Sequence, residues 1–172
     1  MQQASLNKLM KTSFVSMVIA FSALVMLSGC ATSEERAAQK AEHAKKVVAA
    51  LNKKAYTISV DRMYPMKGSP KNVSYGYSVE VRNDSLISYL PYFGRAYSVP
   101  YGGGKGLNFS ERIGSYREAQ KIEGQRYIEI EVKNDEDSYL YTIEVFDNGR
   151  SSINVQSRQR EPISYSGEVE IH

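Results

Sequence analysis

The chain has few of the residues from which catalytic and metal sites are commonly built. Its 172 residues include two histidines, one cysteine and no tryptophan. A single cysteine excludes an intramolecular disulfide and a zinc–thiolate site. His43 and His172 lie far apart in the sequence, so neither a Ser-His-Asp set nor a histidine metal centre can be assembled around them. We therefore expect no catalytic residues, no metal and no cofactor, and we expect both histidines to be solvated.

The chain also lacks a hydrophobic run long enough to cross a membrane. The apolar stretch from Phe14 to Leu27 is shorter than the roughly 18 residues of a membrane-spanning helix. It follows Lys8 and Lys11 and has no polar face of the kind that a core helix shows. A basic start, a short apolar stretch and small residues at its end are typical of a bacterial export signal. We predict that residues 1–29 are a signal peptide.

The end of this signal resembles the lipobox of bacterial lipoproteins. Leu27, Ser28 and Gly29 directly precede Cys30. The resemblance implies that Cys30 becomes the first residue of the mature chain and carries acyl groups. Such a lipid anchors a protein to the membrane surface without crossing it. We therefore expect the membrane to be a partner through the lipid on Cys30, at the outer membrane, on either its periplasmic or its cell-surface side.

A concentrated positive charge is missing from the mature chain. Cleavage before Cys30 removes two lysines and no acidic residue, which lowers the formal net charge from +3 to +1. No block of five like charges remains, so the sequence does not indicate the basic surface that nucleic-acid recognition needs. Residues 30–172 are enough for one domain with a hydrophobic core.

The first part of the mature chain has a helical pattern. Thr32 and Glu35 have the spacing of a capping box. Apolar residues then recur at steps of three and four along one face: Ala37, Ala41, Ala44, Val48, Leu51 and Ala55. This narrow alanine face predicts a spacer helix within residues 30–54, whose later half, with Val47 and Leu51, packs on the following domain. A coiled coil is less favoured, because so few heptads are present.

From Tyr56 onward the apolar period changes to two, which is typical of strands with one buried face. One such strand is predicted across Val73–Val81, and Asn148-Gly149 is a type I′ hairpin signal. Residues 112–121 are ambiguous, and we favour a strand there. The other alternating positions are Tyr56, Ile58, Val60, Tyr64, Ile128, Ile130, Val132, Tyr139, Tyr141, Ile143, Val145, Ile153, Val155, Ile163, Tyr165, Val169 and Ile171.

About eight strands with short connections and no crossover helix after residue 55 predict an antiparallel meander. Such a meander must close or cover its edges, as an up-and-down barrel or as a two-sheet sandwich. The short, even spacing favours the barrel. The fold class is therefore mainly β, preceded by one N-terminal α-helix, with the β domain in residues 55–172.

Residues 89–106 interrupt the alternation. Pro91 cannot lie in a central strand, so pairing is expected to end there. Five aromatic residues fall between Tyr89 and Tyr101, and four glycines occupy residues 102–106. The glycine segment is either a mobile flap or a tight crossing under a bulky side chain. It is not a nucleotide-binding P-loop, because Lys105 is followed by glycine rather than serine or threonine.

These residues carry a resemblance to a known family. YLPYFGRAY at residues 89–97, the glycine-rich segment at 102–109 and ISYSG at 163–167 resemble the hallmarks of a Bacteroides-type lipoprotein family of unknown function. The similarity covers nearly all of the mature chain. It implies a lipocalin-like antiparallel barrel behind an N-terminal lipid anchor. It implies no activity, so no catalytic residue is carried over from the family.

Two non-catalytic functions remain open. The first is a binding module whose small ligand lies in the barrel mouth. Its candidate lining residues are Tyr92, Phe93, Arg95, Tyr97 and Tyr101. Arg95 could pair with a carboxylate or phosphate of the ligand. The same aromatic residues could instead plug the barrel end, with Arg95 in an internal salt bridge. A cavity of about a few hundred Å³ beside them would favour the ligand.

The alternative is a structural or interaction component of the cell envelope that binds a protein partner. Tyrosines exposed together on the barrel would favour it, because partner surfaces are enriched in aromatic residues. An enzyme is the least favoured class, since the glutamates of the predicted strands alternate as a solvated face. The sequence therefore predicts a membrane-anchored envelope lipoprotein, with a small-ligand binding module as the preferred function.

Overall fold

The described part of the chain is one helix followed by nine strands. The structure is a computed structural model that describes residues 33–74, 76–98 and 104–171. The predicted signal peptide, Cys30, Thr32, Tyr75, Tyr101 and His172 lie outside these residues. Within the described residues, the helix is not long and apolar enough to span a bilayer. The elements are α1 Ser33–Asn52, β1 Ala55–Pro65, β2 Lys71–Asn72, β3 Ser78–Arg82, β4 Ser85–Leu90, β5 Leu107–Ile122, β6 Gln125–Lys133, β7 Ser138–Phe146, β8 Arg150–Ser157 and β9 Ile163–Glu170.

The strands form an antiparallel meander that closes on itself. From β3 to β9, each strand pairs with the next, and β1 pairs with β3 on one side and with β9 on the other. Eight strands, β1 and β3 to β9, make the closed barrel, and the two-residue β2 pairs with β1 beside them. The predicted barrel with one N-terminal helix is confirmed. The sandwich alternative is excluded, because the strand pairing runs around the whole ring.

The barrel interior is filled by side chains. The rings of Phe109 and Tyr139 lie 4.8 Å apart between centroids, and Tyr141 meets Phe109 edge-on at 6.3 Å. The fully buried Tyr141 hydroxyl donates to Ser88 Oγ at 2.9 Å, and Ser88 donates to the Leu107 carbonyl oxygen at 2.7 Å. Interior tyrosines therefore have partners for their polar atoms, as buried hydroxyls require.

One prediction about the strands is wrong. The expected continuous strand across Val73–Val81 is broken, because β2 ends at Asn72 and β3 begins at Ser78. Gly76 has a φ of 105° between them, a conformation that glycine adopts far more easily than other residues. The chain stays attached to β1 on both sides of the break, through Val73 N to Asp61 O at 2.9 Å and Val60 N to Tyr77 O at 2.8 Å.

The turn between β7 and β8 also differs from its prediction. The hairpin is present, but only Gly149, with a φ of 80°, is in the left-handed region, whereas a type I′ turn needs Asn148 there too. The connection has three residues, 147–149, and Gly149 N donates to Phe146 O at 2.8 Å.

A bulge at Gly114 explains why residues 112–121 were ambiguous. These residues belong to β5, so the favoured strand prediction is confirmed. Ile113 pairs with Val132 but Ser115 pairs with Glu131, which leaves Gly114 as an extra residue. Odd-numbered residues of β5 face the core before the bulge. After it, Tyr116 lies opposite the buried Ile130. One inserted residue reverses the period-two pattern.

The part of the helix from Lys40 onward packs at one end of the barrel, which we call the helix end. The chain from Lys40 onward forms one structural unit, and Val47 and Leu51 are buried in its core. The predicted packing of the later half of the helix is confirmed. Ala55, expected on the helical face, begins β1 instead. His43, expected to be solvated, is half-buried against the turn at Gly149.

Residues 33–39 form a separate unit that contains the first turns of α1. Glu34 and Glu35 lie in the first turn, where acidic side chains interact favourably with the helix dipole.

We predict that Gly167→Ala opens the barrel seam. Gly167 of β9 lies opposite Val60, and a β-carbon at residue 167 would overlap the Ser59 carbonyl oxygen. Because backbone must move, we expect a loss of about 3 kcal/mol in the free energy of unfolding, measured by urea denaturation. Gly114→Ala is the matched control, since its β-carbon would lie 3.3 Å from Glu131 O. Equal losses in the two variants would contradict the prediction.

We predict that stability falls at alkaline pH because of two interior tyrosines. Burial raises the pKa of Tyr141 and of Tyr165 well above the ordinary value. Above pH ~10 the unfolded chain releases these protons while the folded chain keeps them, so stability is complete below that pH and declines above it. Each tyrosine should contribute a slope of about 1.4 kcal/mol per pH unit.

The measurement is urea denaturation at several pH values, with tyrosinate absorbance followed in parallel. Tyr141→Phe should reduce the slope, and Tyr97→Phe, at a residue 63% exposed, should not. Ionisation of every tyrosine near pH ~10 without unfolding would contradict the prediction.

Candidate functional site

Residues 91–98, which we call the strap, lie at the end of the barrel opposite the helix, which we call the strap end. The strap follows β4 and forms a short antiparallel contact with residues 158–162. Ala96 and Arg160 make a β-bridge. Tyr97 N donates to Gln159 O at 2.7 Å, and Glu161 N donates to Arg95 O at 2.9 Å. Pairing of β4 ends at Leu90, before Pro91, as expected.

Tyr92 holds the strap in its folded-back shape. Its hydroxyl lies 2.9 Å from Arg95 O and 3.1 Å from Glu161 O, so its one hydrogen is shared between two carbonyl groups. A β-carbon on Gly94 would lie 2.7 Å from that hydroxyl, so a side chain there would displace the Tyr92 hydroxyl from this position. The Glu161 carboxylate accepts a hydrogen bond from Arg95 N at 3.1 Å. Burial raises the pKa of the Tyr92 hydroxyl.

The three sequence segments of the family resemblance meet at the strap end. The Tyr165 hydroxyl, from ISYSG, donates to Pro91 O at 2.7 Å. The Tyr139 hydroxyl donates to Gly106 O at 3.2 Å, and Lys105 N donates to Glu136 at 2.8 Å. In each case a side-chain oxygen of the barrel or of a neighbouring turn binds the backbone of the long connection between β4 and β5. These contacts hold the connection between β4 and β5 against the barrel.

Charged and polar residues that the sequence analysis did not select hold the neighbouring turns. Asp137 accepts hydrogen bonds from Arg158 N at 3.3 Å and Gln159 N at 3.0 Å. Arg160 is buried, with its guanidinium 5.3 Å from the Tyr92 ring centre and 3.8 Å from Glu136. In the sequence, only the polar composition of residues 134–137 indicated that these charged residues hold a turn. Across residues 33–74, 76–98 and 104–171, no three His, Cys, Asp or Glu side chains form a metal-binding group.

The structure separates the predicted ligand-binding residues. Tyr92 is half-buried and turned toward the barrel, whereas Phe93 and Tyr97 are 47% and 63% exposed. Arg95 is exposed, and its guanidinium forms no ion pair with a described carboxylate. Tyr101 lies outside the described residues.

Two clefts lie elsewhere on the described part of the chain. One of about 490 Å³ lies between α1 and strands β1, β3 and β9 at the helix end. The other, of about 500 Å³, is a groove across β6, β7 and β8. Neither cleft is lined by Tyr92, Phe93, Arg95 or Tyr97.

Large apolar side chains are exposed at the strap end, and we call them the aromatic face. The Tyr89 ring stacks on Tyr77 with centroids 5.1 Å apart, and the Lys71 ammonium lies 3.4 Å from the Phe93 ring centre. Tyr64, expected on the buried face of its strand, is exposed because a register shift in β1 after Val60 turns it outward. Met66, which no sequence pattern singled out, lies just after the end of β1. The members are Tyr64, Met66, Tyr89, Phe93 and Tyr97, which are 38%, 64%, 52%, 47% and 63% exposed.

Comparison with known proteins agrees with the barrel geometry. The model of a family described as "Domain of unknown function (DUF4251)" matches residues 38–169. The chain belongs to this family. A solved DUF4251 family protein from Bacteroides eggerthii is similar, with a TM-score of 0.59 and 13% identity over 77% of this chain and 89% of that chain. No curated protein matches. At such identity the DUF4251 structure shows a shared fold alone, and the lipid anchor stays a prediction.

We predict that Tyr92→Phe loosens the strap of this DUF4251 domain. The variant leaves the Arg95 and Glu161 carbonyl groups without their shared donor, so we expect a loss of about 1 kcal/mol in stability. Hydrogen exchange should accelerate at the amides of Tyr97 and Glu161, which join the strap to the next loop. Tyr97→Phe should leave both unchanged. Unchanged exchange in Tyr92→Phe would show that the hydroxyl does not hold the strap.

Proposed function

We propose that this DUF4251 protein is a non-catalytic, lipid-anchored envelope protein that binds a protein partner through the aromatic face. The observation that carries the proposal is five large apolar side chains exposed at one end of a barrel whose interior is filled. Clustered exposed apolar residues mark interaction sites, and tyrosine and phenylalanine are enriched in protein interfaces. The anchor rests on the signal-like residues 1–29 and on Cys30.

A protein partner fits this surface better than a small ligand in the barrel mouth. The Tyr92 hydroxyl is already bound to two carbonyl groups, and the Tyr165 hydroxyl beneath the strap is bound to Pro91. A ligand entering the mouth would have to break these bonds and displace buried rings. Phe93 and Tyr97 instead point outward, where a partner can cover them without rearrangement.

The state of the acidic groups near the strap supports a non-catalytic function. Asp137, Glu136 and Glu161 each accept a hydrogen bond from a backbone amide and so hold neighbouring loops in place. A general acid or base must also lie within reach of a bound substrate. None of these three carboxylates lines either of the two clefts.

The proposal is tested by photo-crosslinking in the native host. A photoreactive phenylalanine analogue replaces Tyr97 in the full chain. As the control, the same analogue replaces Ser152, which is exposed on the outer wall of β8. We expect one discrete protein adduct from residue 97 and none from residue 152. The purified partner should then bind the mature protein, and a Phe93→Ala/Tyr97→Ala variant should bind it about tenfold or more weakly, as for an interface hot spot.

Two outcomes would contradict the proposal. Equal adducts from residues 97 and 152 would mean that contact is not specific to the aromatic face. Unchanged affinity of the double variant, with unchanged thermal stability, would mean that Phe93 and Tyr97 do not carry binding.

A further inference from the structure

Two more apolar side chains are exposed at the opposite end of the barrel. Ile122 is 65% exposed at the end of β5, and Phe146 is 42% exposed at the end of β7. Both pair with Gln125, one from each side, so they flank the start of β6. Asp147 N donates to Gly124 O at 3.0 Å and ties the two turns together. We call Ile122 and Phe146 the apolar rim.

Exposed lysines lie at the same end. Residues 40–54, which cover the second half of α1 and the link to β1, contain five lysines and one glutamate. All five lysines are exposed, while Val47 and Leu51 of the same segment are buried against the barrel. The Lys54 ammonium lies 4.3 Å from the ring centre of Tyr116 in β5, the strand that ends at Ile122.

Some acidic side chains at this end are already paired with arginines, whereas Glu123 and Asp147 directly follow Ile122 and Phe146, so the excess positive charge is confined to residues 40–54. Glu118 binds Arg126 at 2.6 Å, and Asp84 binds Arg112 at 3.1 Å. Exposed apolar side chains beside unpaired lysines are the combination that binds anionic lipid surfaces. The apolar groups enter the headgroup region and the lysines approach lipid phosphates.

The length of the chain before the barrel limits where a membrane can be. Cys30 precedes Lys40 by ten residues, which span at most about 35 Å when fully extended. Acyl groups on Cys30 are therefore held within that distance of the point where the chain joins the barrel unit. The chain enters the barrel at the helix end, where β1 begins. A lipid on Cys30 therefore tethers the barrel by the end that carries the apolar rim.

We propose that the helix end rests on an anionic lipid surface, with Ile122 and Phe146 in the headgroup region and the lysines of residues 40–54 against lipid phosphates. The strap end then points away from the membrane, where its aromatic face is free to meet a partner. This inference rests on the proposed lipid anchor at Cys30, and it adds an orientation that the anchor alone does not impose.

The absence of tryptophan makes a direct test possible. Ile122→Trp and Phe146→Trp each introduce one reporter at the helix end, and Tyr97→Trp introduces a matched reporter at the strap end. The mature acylated protein is reconstituted into phosphatidylglycerol-containing vesicles with brominated acyl chains, which quench tryptophan by contact. We expect the first two variants to lose more than about half of their emission, at depths of about 5–10 Å. We expect Tyr97→Trp to lose none.

Each outcome has a distinct meaning. Vesicle flotation of the wild-type chain measures the anchor, and failure to float would overturn the proposed function together with this inference. Flotation without quenching of either helix-end variant would overturn this inference alone. Equal quenching of Tyr97→Trp would also overturn it. In purely zwitterionic vesicles the lysines lose their anionic partners. The tethered Ile122→Trp and Phe146→Trp variants should therefore be quenched at least about twofold less. Unchanged quenching would overturn the role of the lysines.

Discussion

The pairing of β1 with β9 is the constraint on which the rest of the molecule depends. It converts a row of eight strands into a ring and removes the two edges that an open sheet would expose. The seam passes through the register shift of β1 near Asp61, where Gly167 of β9 lies so close to Ser59 that no side chain fits. Barrel closure therefore depends on a glycine that contributes no side-chain contact of its own.

Closure creates an interior that large side chains fill, and this filling explains the strap. Tyrosines supply volume at the strap end, but each buried hydroxyl needs a hydrogen-bond partner. Tyr165 finds one at Pro91, Tyr139 finds one at Gly106, and Tyr141 finds one at Ser88. The distinctive sequence segments are thus the means by which a filled barrel satisfies its polar atoms.

The two ends of the barrel then differ in chemistry. The strap end has exposed aromatic side chains, and carboxylates that accept hydrogen bonds from backbone amides. The helix end has two apolar side chains beside exposed lysines. This polarity follows from the chain path, because the helix enters at one end and the longest connection between strands crosses the other.

The sequence by itself determined the strand class, the antiparallel order and the packing helix, because period-two and helical patterns report which side chains are buried locally. It also located the unusual segment from its proline, glycines and aromatic residues. Only the tertiary structure decided that Tyr92 turns inward while Phe93 and Tyr97 turn outward, since that choice depends on Glu161, which is far away in the sequence. The break at Gly76 depends on a left-handed backbone, the bulge at Gly114 on one unpaired residue and the seam at Gly167 on a close approach to Ser59, and the period-two pattern specifies none of these.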